Sequence, residues 1–328
     1  MEDSEQNSIV VCCHSGIFHA DEVMACALLK IAANDATVAV IRSRLPKDWE
    51  RADYVIDVGG KFDSVKFFDH HQREGAGTRN NGLSYSSFGL IWEHIGITAI
   101  RAILGGQNLV KLTDQLIQEV YDDAQPFVMG IDAHDQGNMR VEARCNSDRS
   151  IYLEPVTVQN YISGLNPVAL LESASENYSN AQFYEALTWA EDFLRRFIMR
   201  KASRILGYAY AKSHYVGGAI LVLPQYCDWS PAVSELPEVW YVIYPSGNGK
   251  AYAIKAAKIE PGLNSEDNLR RPFPLEWAGA DHKALPVLSG VREAVFCHRD
   301  RFMASCSTLE GALELAKVSI NYGQQNVK

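Results

Sequence analysis

The stretch Phe67-Phe68-Asp69-His70-His71 sets an aspartate before paired histidines in a chain that has only nine histidines. Carboxylate and imidazole together ligate divalent ions, although an aspartate turn followed by two half-exposed imidazoles would look the same. Further ligands of the same kind decide between these readings. His14 closes an apolar run, and His19 and Asp21 follow it in the pattern His-x4-His-x-Asp. Asp57 stands near the end of DYVIDVGG, and Asp132, His134 and Asp135 lie together in GIDAHDQGN. Such clustering within the first 135 residues is hard to assign to solvated turns. A carboxylate-and-imidazole set suits Mn2+, with Mg2+ or Co2+ as alternatives, and no Cys quartet marks a structural zinc site. The set is too large for one ion and right for two divalent ions sharing a bridging carboxylate. Two ions roughly 3.5–4 Å apart can activate water and clamp phosphoryl oxygens, so no Ser or Cys nucleophile is needed. The chemistry implied is hydrolysis of a phosphoester or phosphoanhydride. His134 fits a packing or surface role better than a ligand role. Arg42 and Arg44, at the end of an apolar strand, could meet phosphate or could equally be a solvated strand end.

Positioning these groups requires strands that end where the groups begin. SIVVCCHS (8–15), ATVAVIRS (36–43), DYVIDVGG (53–60) and the short KFF (66–68) read as strands, and ADEVMACALLKIAA (20–33) has helical spacing. This order predicts an α/β fold with a mainly parallel sheet flanked by helices, whose ligands bind beyond the carboxyl ends of the strands. A helix-rich stretch from 85 to 129 should break at Pro126. Residues 139–158 read as irregular, and 175–212 as one long helix. Short strands at GGAILVLP, EVWYVIYP and KAYAIKAAKI precede a last helix with a Ser307-x-x-Glu310 start signal. The expected organisation is a metal-binding domain over 1–150, a largely helical connection over 151–212 and a smaller α+β substrate-binding domain over 213–328.

With 328 residues, 47% hydrophobic and 22% charged, the composition is that of an ordinary globular protein. No uninterrupted apolar run reaches the length of a membrane span, so no membrane partner is expected. The acidic start MEDSEQNS argues against a signal or transit peptide. Seven cysteines without a CxxC pair fit a reducing compartment: cytoplasm, nucleus or mitochondrion. A net charge of −9 argues against a non-specific nucleic-acid binder with a basic face. It does not exclude a phosphate substrate, because bound cations would offset a local excess of carboxylates.

HSGIFHADE, DVGG, FFDHHQ and IDAHDQG stand in this order, followed by SGLNP, CDW, YVIYP, RRPFPLEWAG and FCHRDRF…TLEGALELA. In these pieces, spanning about 9–320, the chain resembles the Myg (melanocyte proliferating gene) exonuclease family, itself related to the DHH phosphoesterases. The resemblance implies 3′–5′ exonuclease action on RNA or short oligonucleotides. It implies that His14, His19, Asp21, Asp57, His70 and one of Asp132 or Asp135 hold metal, with Asp132 slightly preferred and Asp57 as the bridge. His71 would face the substrate phosphate, and Asp69 would orient the imidazole beside it. The usual DHH start, His-x3-Asp-x-Asp, differs here by one inserted residue and by His19 in place of a carboxylate. The implied substrate contacts of the last domain include His298, which is retained. Ala304 and Ser305 stand where the family commonly has Gly-Gly, and WAGADH lacks the family's Arg. Two alternatives stand beside this reading: a small-molecule phosphatase or pyrophosphatase, and a catalytically weak metal-binding regulatory protein, to which these departures would lead. Oligomeric state is not legible.

Overall fold

The computed structural model describes residues 8–34, 36–107, 111–139, 141–144, 152–173, 175–247, 249–260 and 266–322. The acidic N-terminal stretch and part of the 139–158 segment read as irregular lie outside the described residues. Two compact units, 1–201 and 202–328, divide the chain.

In the first unit, β1 (Ser8–Cys13), β2 (Thr37–Arg42), β3 (Tyr54–Ile56) and β4 (Phe67–Phe68) form one sheet in the order β2-β1-β3-β4, every pair parallel. The chain enters at β1, steps to one side for β2 and returns to the other for β3. The topological switch point therefore falls between β1 and β3. That is where an open parallel sheet leaves a crevice. α1 (Ala20–Ala32) connects β1 to β2, and the short α2 (Pro46–Arg51) connects β2 to β3. α1 is buried almost all round from Ala20 to Leu29, because α3 (Ser87–Gly105) and α4 (Asp114–Asp135) pack against it. Length and composition alone would allow α3 to cross a membrane. Its Phe88, Ile91, Trp92 and Ile100 are instead fully enclosed in this unit.

α4 continues through Pro126, contrary to the expected break. Pro126 sits on an exposed side of the helix, so the carbonyl it leaves without an N–H partner can be hydrated. Leu116, Ile117, Val120, Ala124, Val128 and Ile131 anchor the opposite side in the core. This places Asp132, His134 and Asp135 on the last turn of a helix rather than in a loop. A small antiparallel pair, β5 (Ala143–Arg144) and β6 (Tyr152–Leu153), leads to α5 (Val158–Gly164), capped by Thr157, whose hydroxyl accepts from the Asn160 N–H. The long helix forms as one element, α6 (Glu176–Ser213), which crosses the division between the units.

The second unit carries β7 (Ile220–Val222), α7 (Ser230–Ser234), β8 (Tyr241–Pro245), β9 (Tyr252–Ala256), α8 (Ala284–Ser289), β10 (Ala294–Cys297), β11 (Met303–Cys306) and α9 (Leu309–Asn321). Its sheet has the order β10-β11-β9-β8-β7, with only β7 and β8 parallel. Alternation along the strands buries two apolar faces: Tyr241, Ile243, Ile254, Ala304 and Cys306 on one, Val242, Tyr244 and Ala253 on the other. Thr308, not Ser307, caps α9 by accepting the Gly311 N–H at 3.0 Å.

Candidate metal centre

His14 follows the last residue of β1, Asp57 the last of β3 and Asp69 the last of β4, so the sheet delivers all three to its carboxyl edge. Each strand is short because its next residue leaves the ladder to serve this edge. Asp57 has φ 56°, a left-handed conformation uncommon outside glycine and found at functional sites. Gly60 follows at φ 67° and donates its N–H to Asp69 Oδ2 at 2.5 Å. The DVGG turn thus curls back under the DHH segment. The first turn of α1 brings Asp21 and Glu22 to the same crevice, and the last turn of α4 brings Asp135.

The side chains converge closely. His14 Nε2 lies 2.9 Å from Glu22 Oε1 and 3.3 Å from Asp57 Oδ2. His70 Nε2 lies 3.1 Å from Asp57 Oδ1, 3.2 Å from Asp135 Oδ2 and 3.7 Å from Asp21 Oδ2. Three overlapping ligand sets result: His14, His19, Glu22 and Asp57; Asp57, His70 and His71; His19, Asp21 and Asp135. Asp57 belongs to two of them, as a bridging carboxylate would. His71 is turned outward, with Nδ1 2.8 Å from Asp69 Oδ1. Asp69 also accepts the backbone N–H groups of His70 and His71. An open cavity of about 840 Å³ lies over this edge, with Arg44, His134 and Gln159 among its lining residues.

The donor set fits divalent cations. Asp21 is fully buried, and neither of its oxygens meets a hydrogen-bond donor among the described residues. Burial and the neighbouring Asp57 and Asp135 carboxylates push Asp21 well above the ordinary range; burial pushes Asp135 up as well. Such crowding of like charge without a cation is unfavourable, and a bound cation relieves it.

Two ligand candidates three residues apart separate cleanly. Asp135 reaches the cluster, whereas Asp132 turns toward the start of α3. There it accepts the Ser86 hydroxyl at 2.7 Å and the Ser86 and Gly89 N–H groups, and pairs with Arg79. A Cβ at Gly89 would come within 2.3 Å of Asp132, so only glycine permits this cap. The slight preference for Asp132 as ligand is corrected by this geometry: Asp132 is spent on capping α3. Arg42 is corrected likewise. It is 6% exposed, donates to Ser179, Asn180 and the Gly16 carbonyl, and stacks on Phe183 at 4.7 Å. It braces the 15–19 loop against α6 and offers nothing to phosphate. Arg44 does reach the cavity, with Nη2 3.1 Å from His14 Nδ1. In the second unit His298 packs on Phe302 at 4.4 Å between ring centroids. Ala304 is fully buried in the core, and Ser305 points to the opposite face. Ala304 is therefore also corrected as a substrate-facing position: its methyl fills the interior.

Several participants escape a reading by residue type. Glu22 accepts the His19 N–H at 2.9 Å while facing His14. Gln136 meets His70 Nδ1, and Ser87 donates to Asp57 Oδ1 at 3.2 Å. Glu22 resembles an ordinary first-turn helix acid, although its place three residues after His19 was a usable signal. Gln136 and Ser87 carry no such mark.

Asn166, in SGLNP, clamps the loop that presents His19. Its Oδ1 accepts the Phe18 N–H at 2.9 Å and its Nδ2 donates to the Phe18 carbonyl at 2.8 Å. Asn166→Ala is expected to cost about 1–3 kcal/mol of stability for the two lost bonds. Metal affinity should fall ~10–100-fold, as with other groups that orient ligands. Urea unfolding and metal titration check the two effects separately.

Protonation makes a further prediction. Burial opposes a proton on His14, but hydrogen bonds to Asp57 and Glu22 outweigh it and hold the pKa at about 10. His14, Asp21 and Asp135 thus all have folded-state values above their unfolded ones. Their contribution is complete below the unfolded values and is lost as pH rises through the folded ones. Asp57 is shifted the other way, downward, so its contribution is already complete above about pH 4. Chelator-stripped protein should therefore lose stability between about pH 6.5 and 10. Metal binding strengthens over the same range. The gap in Tm between Mn2+-loaded and stripped protein should widen from pH 6 to pH 9; a constant gap would contradict this charge balance.

Comparison with known proteins places nearly the whole chain in one family. The MYG1_exonuc family model, described as an uncharacterised protein family (UPF0160), matches residues 10–320. The chain is similar to a MYG1 protein of Schizosaccharomyces pombe, 29% identical over 97% of this chain and 99% of that one. It is 30% identical to a MYG1 protein of Saccharomyces cerevisiae over 94% and 95% of the two chains. It is 28% identical to the MYG1 exonuclease of Homo sapiens over 94% of this chain and 84% of the human one. With the match running over most of its length, this chain belongs to the MYG1 family.

Proposed function

We propose that the chain is a metal-dependent phosphoester hydrolase, a 3′–5′ exonuclease that acts on RNA or short oligonucleotides and uses two divalent ions, Mn2+ first among them. The observation that carries this reading is Asp21, buried without a donor beside Asp57 and Asp135 at the sheet's switch point. His14, His19 and Asp57 would hold one ion, and Asp21, Asp57, His70 and Asp135 the other. When bound, such ions would supply Lewis-acid polarisation of a phosphoryl oxygen and an acidified attacking water. The name of the human relative supports a nuclease as the class of enzyme.

The protein's own groups do the rest. Asp69 fixes the His71 ring by accepting from Nδ1, which leaves the other ring nitrogen for substrate. The hydrogen bond to Asp69 also raises the His71 pKa, so the ring carries a proton to higher pH than a free histidine and can donate to a phosphate oxygen. Arg44 adds a permanent positive charge at the cavity wall.

The test is release from single-stranded RNA labelled at either end, from a dinucleotide and from pyrophosphate, each with and without Mn2+. Mononucleotides leaving the 3′ end only when Mn2+ is present is the expected result. Hydrolysis of pyrophosphate alone would favour a small-molecule phosphatase. Metal binding without any turnover would favour a regulatory protein.

A further inference from the structure

Within the first unit, α6 carries two apolar stripes where a surface helix needs one. Phe183, Leu187, Ala190, Leu194 and Ile198 face the core and are buried. Beside them Trp189, Phe193 and Phe197 recur every fourth residue, which sets their rings in a row along a second face. The rings stack: 5.1 Å separates the centroids of Trp189 and Phe193, and 6.0 Å those of Phe193 and Phe197. Tyr161 of α5 closes one end of the row at 4.4 Å from Trp189, and Phe127 of α4 packs against Phe197 at 4.5 Å. None of these five rings is buried, and Tyr161 is 47% exposed. A cavity of about 310 Å³ opens over the row, with Asp192, Arg196 and Arg200 as its polar lining. The core of the unit does not use this face.

Residue type narrows the occupant. Aromatic rings, Met and Arg are the residues enriched where proteins meet one another, and Met199 beside the row is 40% exposed. A single strand of nucleic acid also stacks on rings, but it needs a groove of cations. Here Asp192 sits in the groove, in a chain of net charge −9. The charges are instead complementary to themselves. Asp192 and Arg196 lie one turn apart and meet at 3.8 Å on an exposed flank of the row, a pairing worth little by itself. Reversing the helix about the midpoint between them exchanges acid for base. A second α6 laid antiparallel on the row therefore sets Asp192 of each copy against Arg196 of the other. The same register brings Arg200 of each copy within about one residue of the other's Trp189, where a guanidinium over an indole is favourable. Arg200 meets no acid among the described residues of its own chain. Parallel pairing would set like charge against like.

We infer that the aromatic row of α6 is a contact between two copies of this chain, paired antiparallel about a two-fold axis near Leu194. Such a contact is isologous, so one patch serves both copies and the assembly closes at two. The inference stands apart from the nuclease reading and does not depend on it.

The test is sedimentation velocity on the full chain across micromolar concentrations, with Tm read alongside. The wild type should show a monomer–dimer equilibrium. Arg196→Asp and Asp192→Arg each set like charges together twice in the pair, so each variant alone should be monomeric. Both positions are exposed, and Tm should stay close to wild type. Mixed in equal amounts, the two variants should form a heterodimer, because each supplies the charge that the other lacks. A folding defect would give no such rescue. Trp189→Ala should weaken association about tenfold or more, as truncation of a central interface residue does. A wild type that stays monomeric, a dimer indifferent to both charge changes, or variants that remain apart on mixing would overturn the assignment. So would a monomeric wild type that binds single-stranded RNA and loses it in Trp189→Ala, which would give the row to nucleic acid.

Discussion

Asp57→Asn is expected to remove most of the bound metal and to lower turnover by more than the ~10–100-fold typical of groups that merely orient ligands. Asparagine is the informative replacement, because it tolerates the left-handed backbone that Asp57 adopts. Alanine would confound loss of the carboxylate with backbone strain. His14, His70, His71 and Ser87 all approach the two Asp57 oxygens. Burial works against the charge, yet the hydrogen bonds from His14 and His70 outweigh it and hold the carboxyl well below its usual range. The amide can present one oxygen but no charge to two neighbouring ligand sets. Elemental analysis should fall from near two ions per chain toward none, since both sets lose the shared ligand. Retention of both ions at normal affinity would contradict a bridging role.

The paired histidines should separate just as sharply. His70 points inward, with Nε2 among Asp57, Asp135 and Asp21 and Nδ1 against Gln136. His71 has 61% of its side chain exposed and is tied to Asp69. His70→Ala should weaken metal affinity ~10–100-fold or more. His71→Ala should keep the ions and lose about 10²–10⁴-fold in turnover, the range for a positioned proton donor. Calorimetric titration with Mn2+ reads the first effect and RNA release the second. Indistinguishable metal affinities in the two variants would show that their roles are not divided.

The α/β architecture of the first unit was legible because its strands are short apolar runs, three of them followed directly by a residue of the cluster. Cys13 to His14 and Ile56 to Asp57 are such junctions, and the switch-point rule follows from strand order alone. Less was legible where packing overrides local preference. Pro126 looks like a helix end, yet α4 continues because six apolar side chains hold its other face. Asp132 and Asp135 have the same residue type and near-identical context. Only the N–H groups at the start of α3 and the missing Cβ at Gly89 separate a cap from a member of the cluster. Arg42 has the residue type of a phosphate contact, and its burial against Phe183 depends on α6, far along the chain. Ala304 illustrates the strand period: one step along β11 exchanges core for the opposite face.

The proposed centre at the sheet edge is two divalent ions on one shared carboxylate. Anomalous diffraction from crystals grown with Mn2+ tests it most directly. Two peaks are expected, both in contact with Asp57, with His14 and His19 on one and Asp21, His70 and Asp135 on the other. A single peak, or density bound away from Asp57, would contradict it.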